Sequence, residues 1–274
     1  MSECSTSKTP SPMDLGCVRI VESRERAEQE VAGQVRDCIE TCRNEGTPAV
    51  IGLATGGSMI GLLAECVRLH KDGDLSFDGV RTFNLDEYLG LPLGHEGSFR
   101  AFMQEHLFGP VELDAARALV PDADLAQAEP GVYGAAWEAA IEAAGGVDLQ
   151  LLGLGENGHI AFNEPGSAAD SRARVVDLAQ ETRRVAAAGF GGLEQVPSRA
   201  FTAGIATIRG ARRLRLLAFG ERKAAAVHAM LIGPVDEALP ASLIRDHPDL
   251  EVWIDREAAS QLDSTQLPDG AWVR

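Results

Sequence analysis

Short apolar runs alternate with segments of helical periodicity along most of the chain, and this alternation restricts the fold more than any single motif. PAVIGLAT (48–55), VRTFNL (80–85), VDLQLLGLG (147–155), LRLLAFG (214–220) and EVWID (251–255) have the length of strands, and most are nearly unbroken in apolar character. Between them, residues 24–43 place Ala27, Val31, Val35, Cys38, Ile39 and Cys42 on one helical face, with Ser23 positioned to cap the start. IGLLAECVRLHK (60–71), SFRAFMQEHLF (98–108), GVYGAAWEAAIEAAG (131–145) and the stretch from Glu221 to about Leu231 also read as helices. Strands alternating with helices predict an α/β fold, a mostly parallel sheet covered by helices on both faces. Residues 16–274 are expected to form this one domain. Residues 1–15, polar and rich in Ser, Thr and Pro, read as a flexible tail without the apolar stretch of a signal peptide.

Charge and cysteine usage narrow the function. With 25 basic against 41 acidic residues the net charge is −16, which argues against nucleic acid as a partner. It also means that any bound phosphate must be held by local donors rather than by the overall field. No apolar run approaches the roughly 20 residues of a membrane span, so a cytoplasmic protein with a small-molecule partner is expected. The five cysteines, Cys4, Cys17, Cys38, Cys42 and Cys66, are odd in number and confined to the first quarter of the chain. That is no disulfide framework. Cys38 and Cys42, four apart on a helix, have no His or further Cys beside them and read as core residues rather than metal ligands.

Four chemically rich segments share one placement, directly after a strand, at the edge where ligands bind in open α/β sheets. LATGGS (53–58) joins a strand to a helix. Its glycines allow close backbone approach to an anion, the helix start offers free N–H groups, and Thr55 and Ser58 add hydroxyls. An ordinary glycine-rich turn has the same composition, and no Gly-Lys-Ser/Thr makes it a P-loop. FNLDEYLGLP (83–92) puts Asp86 and Glu87 after a strand, where a partly desolvated carboxylate serves as a general base and a solvated one merely fills an acidic turn. Side chains of adjacent extended residues point apart, so one of the two is expected to face a substrate.

GLGENGHIAFNEPG (153–166) is the richest segment. Gly153, Gly155 and Gly158 make the loop permissive, while Asn157, His159, Asn163 and Glu164 crowd polar groups beside Ile160, Ala161 and Phe162. A carboxylate near a His fixes its tautomer and stabilises its cation, as acid–base work requires. FGERKAAAVHAM (219–230) carries Lys223 in the first turn of a helix, where a cation opposes the helix dipole and phosphate binding would supply a reason for it. His228 and His247 have no partner spacing and read as structural.

Together and in order, LATGGS, FNLDEYLGLP, VDLQLLGLGENGHIAFNEPG, QVPSRAFTAGIATI, FGERKA and IDREAAS resemble the glucosamine-6-phosphate deaminase family, within the larger group that includes 6-phosphogluconolactonases. DEYLGLP with GHIAFNEP points to the deaminase branch. The resemblance implies a Rossmann-like, three-layer α/β sandwich acting on an amino-sugar 6-phosphate, without cofactor or metal, and is compatible with a homo-oligomer. It implies that Asp86 moves a proton between C2 and C1 of the ring-opened sugar and that His159 opens the ring, assisted by Glu164 and Asn157. Thr55, Gly56, Gly57, Ser58 and Lys223 would hold the 6-phosphate, with Glu87 and Gly158 in the substrate-contacting set. Residues around 167–200 would form a lid.

The chain departs from that pattern on its substrate-facing loops. Some relatives carry Asp where this chain has Asn157, an amide that orients His159 without supplying charge. Deaminases typically read Asn-Ala-Arg ahead of an aromatic pair, and that Arg helps clamp the phosphate. Here the stretch is AAAGF, with Ala188 at the arginine position and Arg183 and Arg184 at non-matching ones. GGSM replaces Gly-Gly-Thr-Pro or Gly-Ser-Thr-Pro, and SLIRDHP stands where Leu-Gln-Leu-His is usual. Retained proton-transfer residues with altered loops suggest a second outcome for the same enol, expulsion of the C3 hydroxyl from N-acetylglucosamine 6-phosphate by a dehydratase. Lactonase chemistry, or a sugar-phosphate sensor without turnover, fits less well.

Overall fold

The computed structural model describes residues 17–92, 94–263, 267 and 271–273; the expected tail, and Cys4 with it, lies outside the described residues. Among the described residues eight strands form one sheet: β1 (Val18–Val21), β2 (Val50–Leu53), β3 (Arg81–Asn84), β5 (Ala118–Leu119), β6 (Leu149–Gly153), β9 (Leu214–Ala218), β10 (Leu250–Asp255) and β11 (Trp272–Val273). Their order is β11-β1-β10-β9-β6-β2-β3-β5, and every pairing is parallel. All residues of β2 and β9 are buried, the demand of a sheet covered on both faces. Burying each Leu of β9 contributes about 1.5–3 kcal/mol, and truncating one to Ala is expected to cost about 2–5 kcal/mol.

The covering helices are α1 (Arg24–Asn44), α2 (Ile60–Lys71), α3 (Phe99–Met103), α4 (Ala123–Ala128), α5 (Pro130–Ala143), α6 (Gln180–Ala186), α7 (Ile205–Arg209) and α8 (Ala224–Ile232). α1 begins where its sequence signals place it: the Ser23 hydroxyl accepts from the Arg26 amide at 3.3 Å, and Ala27, Val31, Val35, Cys38, Ile39 and Cys42 are buried. α2 matches the expected span. The segment 98–108 is not one helix; α3 passes into a π-type turn at Gln104–Phe108. The stretch from Glu221 opens with a 3₁₀ turn, Glu221–Lys223, before α8. Among the described residues no helix is long and apolar enough to cross a membrane.

A second sheet was not anticipated. β4 (Asp86–Tyr88), β8 (Arg199–Thr202) and β7 (Arg174–Asp177) form an antiparallel ribbon in the order β4-β8-β7. The polar DEY, which the sequence left open between a functional extended segment and a solvated acidic turn, is a buried strand. Tyr88, Phe162, Leu178, Val196 and Ala200 form a small apolar cluster beside it, with Phe99 and Phe190 packed on its edge.

Candidate active site

Four neighbouring strands of the parallel sheet, β9, β6, β2 and β3, end side by side, and the chemically rich segments follow their C-terminal ends. The chain runs from β2 outward through β3 to β5, then crosses back to β6, so this edge is also where the winding reverses. A cavity of about 300 Å³ opens there. Thr55, Gly56, Gly57, Ser58, Asp86, Asn157, His159 and Lys223 line it, bringing together eight residues dispersed over the sequence.

Asp86 is 6% exposed, and burial raises its carboxyl well above the ordinary aspartate range, reinforced by the charge of Glu87. Glu87 does not line the cavity. Its side chain points the other way along β4, where Oε1 accepts from the Tyr88 and Phe99 amides at 2.8 and 2.9 Å and Oε2 from the Arg100 amide at 2.9 Å. The expected substrate contact is thus replaced by a structural one: Glu87 satisfies the open amides at the start of α3. The alternation that sends Asp86 inward sends Glu87 to the helix.

His159 sits tightly in its loop. A Cβ at Gly155 would lie 2.4 Å from the imidazole, so only glycine permits this ring position. Gly158 does not line the cavity either; its φ of +82° turns the loop, and Leu239 packs where a side chain would stand. Ala161, which lines the cavity, holds φ at +50°, a left-handed conformation that costs a non-glycine residue roughly 1 kcal/mol. Asn163 is fully buried, its amide donating to the Ile160 and Ala203 carbonyls at 3.0 and 2.8 Å, and serves to fasten the loop to the chain after β8.

The His–carboxylate relation differs from expectation. Glu164 lies behind the cavity wall, with Oε2 3.7 Å from His159 Nδ1, beyond hydrogen-bond reach. Burial lowers the His159 pKa, the Lys223 charge acts in the same direction, and Glu164 opposes them without prevailing. The ring is therefore held neutral rather than cationic. Asn157 orients the surroundings of the ring, not the ring itself: its Oδ1 accepts from the His159 amide at 3.2 Å and its Nδ2 donates to Glu164 Oε2 at 3.0 Å. Lys223 is half-buried, and desolvation pushes its ammonium below the ordinary lysine range.

Four lining residues come from the segment expected to act as a lid: Glu181, Thr182, Val185 and Ala186, all on α6. Thr182 was not expected at the site. Its hydroxyl donates to Glu164 Oε1. Ala188 lies in a 3₁₀ turn, Ala187–Phe190, and does not line the cavity. Neither nearby arginine takes the place of the missing one. Arg183 donates to the Leu193 and Val196 carbonyls, and Arg184 pairs with Glu181 at 3.3 Å. Among the described residues Lys223 is the only Lys or Arg lining the cavity. No group of His, Cys, Asp and Glu among them could hold a metal ion.

A family model described as glucosamine-6-phosphate isomerases/6-phosphogluconolactonase matches residues 22–253. Glucosamine-6-phosphate deaminase of Rhodopirellula baltica is 46% identical over 246 residues, covering 90% of this chain and 96% of that protein. The Bacillus velezensis enzyme of the same name is 42% identical over 233 residues, covering 84% and 95%. Among solved structures, a monomeric glucosamine-6-phosphate deaminase superposes with a TM-score of 0.82 at 38% identity, covering 88% of this chain and 99% of that one. The 6-phosphogluconolactonase of Trypanosoma brucei superposes with a TM-score of 0.71 at 20% identity, covering 89% and 99%, a likeness of fold alone.

Proposed function

The chain belongs to the glucosamine-6-phosphate isomerase/6-phosphogluconolactonase family, and from that membership and its cavity we propose that it deaminates glucosamine 6-phosphate to fructose 6-phosphate and ammonia. One observation supports this most: a buried carboxylate of raised pKa, Asp86, and a neutral imidazole, His159, line the same cavity as a glycine-rich loop and a half-buried lysine.

The sugar must first open. His159, neutral at physiological pH, takes the proton of the C1 hydroxyl and returns one to the ring oxygen. Asp86 then removes the C2 proton. Desolvation makes this carboxylate a stronger base than a solvated one, which a weakly acidic C–H demands. The resulting enolamine is reprotonated at C1 by the same carboxyl group, giving an imine at C2. Addition of one water and loss of ammonia leave the 2-ketose. Glu164 and Asn157 act through His159, holding its loop and its electrostatic surroundings.

The phosphate is assigned to Thr55, Gly56, Gly57, Ser58 and Lys223, which offer backbone amides, hydroxyls and one ammonium. The lid is assigned to about residues 179–197, narrower than 167–200, because β7 and β8 fix the flanks of that segment in the small sheet.

The test is direct. Purified protein incubated with glucosamine 6-phosphate should release ammonia and fructose 6-phosphate in equal amounts. Water loss from N-acetylglucosamine 6-phosphate, with no ammonia from the free amine, would overturn deamination in favour of the dehydratase.

A further inference from the structure

Arg24, the first residue of α1, lies outside the cavity yet touches both segments assigned to the phosphate. Its Nη2 donates to the Gly57 carbonyl at 2.5 Å, and its guanidinium carbon stands 5.2 Å from the ring centre of Phe219. Gly57 belongs to the loop after β2. Phe219 follows β9 and precedes the turn that carries Lys223. Glu28, one helical turn along α1, fixes the side chain by accepting from Nε at 2.6 Å. The remaining geometry follows from the peptide bond. In a trans peptide the carbonyl of one residue and the amide N–H of the next point in opposite directions. Gly57 C=O is turned outward onto Arg24, so the N–H of Ser58 is turned away from Arg24. Ser58 lines the cavity, and its amide donates to no other group among the described residues.

We propose that Arg24 is a positioning residue for phosphate recognition, locking the Gly57–Ser58 peptide with its N–H toward the anion and bracing that loop against the Lys223 turn. The inference rests on the assignment of the phosphate to these two segments. It also accounts for the loss at Ala188: the cradle gains by pre-organisation what it lacks in a second bound cation. A glycine peptide flips readily, and a flipped one would present a carbonyl oxygen to the phosphate. A guanidinium suits the task because its planar fork donates in two directions while its face packs on an aromatic ring.

The experiment measures binding of inorganic phosphate by calorimetry, together with steady-state kinetics on the sugar phosphate, for Arg24→Met, Arg24→Lys and Lys223→Met. Arg24→Met should weaken phosphate and raise KM about tenfold, the loss expected of one well-placed hydrogen bond, with kcat within twofold. Arg24→Lys, which keeps a donor for the Gly57 carbonyl, should recover part of the phosphate affinity. Unchanged phosphate binding in Arg24→Met while Lys223→Met loses it would overturn the role of Arg24 alone. Unchanged binding in both would overturn the phosphate assignment itself. A lower melting temperature in Arg24→Met with phosphate affinity intact would make Arg24 a stabilising residue only, and would equally overturn the proposal.

Discussion

The Thr182 hydroxyl, carried on α6, donates to one oxygen of Glu164 while the Asn157 amide donates to the other, so a single carboxylate joins α6 to the His159 loop. Thr182→Val preserves shape and leaves that oxygen without its donor. It should lower kcat roughly tenfold with a smaller change in KM, and Thr182→Ser should restore most of the rate. Equal rates for the Val and Ser variants would show that the contact has no catalytic consequence.

Asp86 yields a paired prediction. Asp86→Asn removes the proposed base and should reduce turnover by about 10²–10⁴. It should also raise thermal stability at neutral pH. A carboxyl whose folded pKa lies above its unfolded value stabilises the fold fully below the unfolded pKa, and that contribution is lost as pH rises through the folded one. The variant's advantage should therefore vanish below about pH 4, the ordinary aspartate value. Melting curves across pH decide this; an advantage that persists in acid would contradict it.

Burial and the Lys223 charge both lower the pKa of His159. In an NMR titration the His159 ring should then lose its proton below about 6.5, the unperturbed imidazole value. Because folding lowers this pKa, its contribution to stability is present above the unfolded value and is lost as pH falls. Lys223→Met removes a neighbouring cation, so the His159 titration should move upward. A downward move would exclude this electrostatic link.

Glu87 accepts from three backbone amides and faces away from the cavity. Glu87→Ala should destabilise the fold by about 1–3 kcal/mol through unsatisfied buried donors. Below its melting temperature it should keep KM within a few-fold of the parent. A large rise in KM at full stability would return Glu87 to the substrate-contacting set.

Five strands of the parallel sheet were legible as largely apolar runs, and the long helices by their own periodicity, with Ser23 even marking the start of α1; β1, β5 and β11, two to four residues long, were not. Nor was the antiparallel ribbon. DEY, RVVD and RAFT are three or four residues long and rich in charge, and Asp86 pairs with Thr202, far beyond the reach of local pattern. The gathering of Asp86, His159 and Lys223 could be read from their shared place after strands. The contribution of Thr182 could not, since it lies in an alanine-rich stretch 18 residues from Glu164. Alternation along an extended strand already required one of Asp86 and Glu87 to face away from a substrate; that Glu87 does so to satisfy the amides at the start of α3 was not legible.

The register of the small ribbon aligns Asp86 with Thr202 and Thr202 with Arg174, so the strand bearing Asp86 pairs with β8, one of the two strands that suspend α6. The segment between β7 and β8 thus hangs from three short strands, one of them half-exposed, whereas the eight-stranded sheet is buried throughout most of its length. Such a unit can melt locally while the rest of the molecule stays folded. On warming, catalysis should fail before the global transition, with amide exchange near Thr182 and Val176 accelerating first. The temperature range of the enzyme would then be set by the segment around α6 rather than by its core.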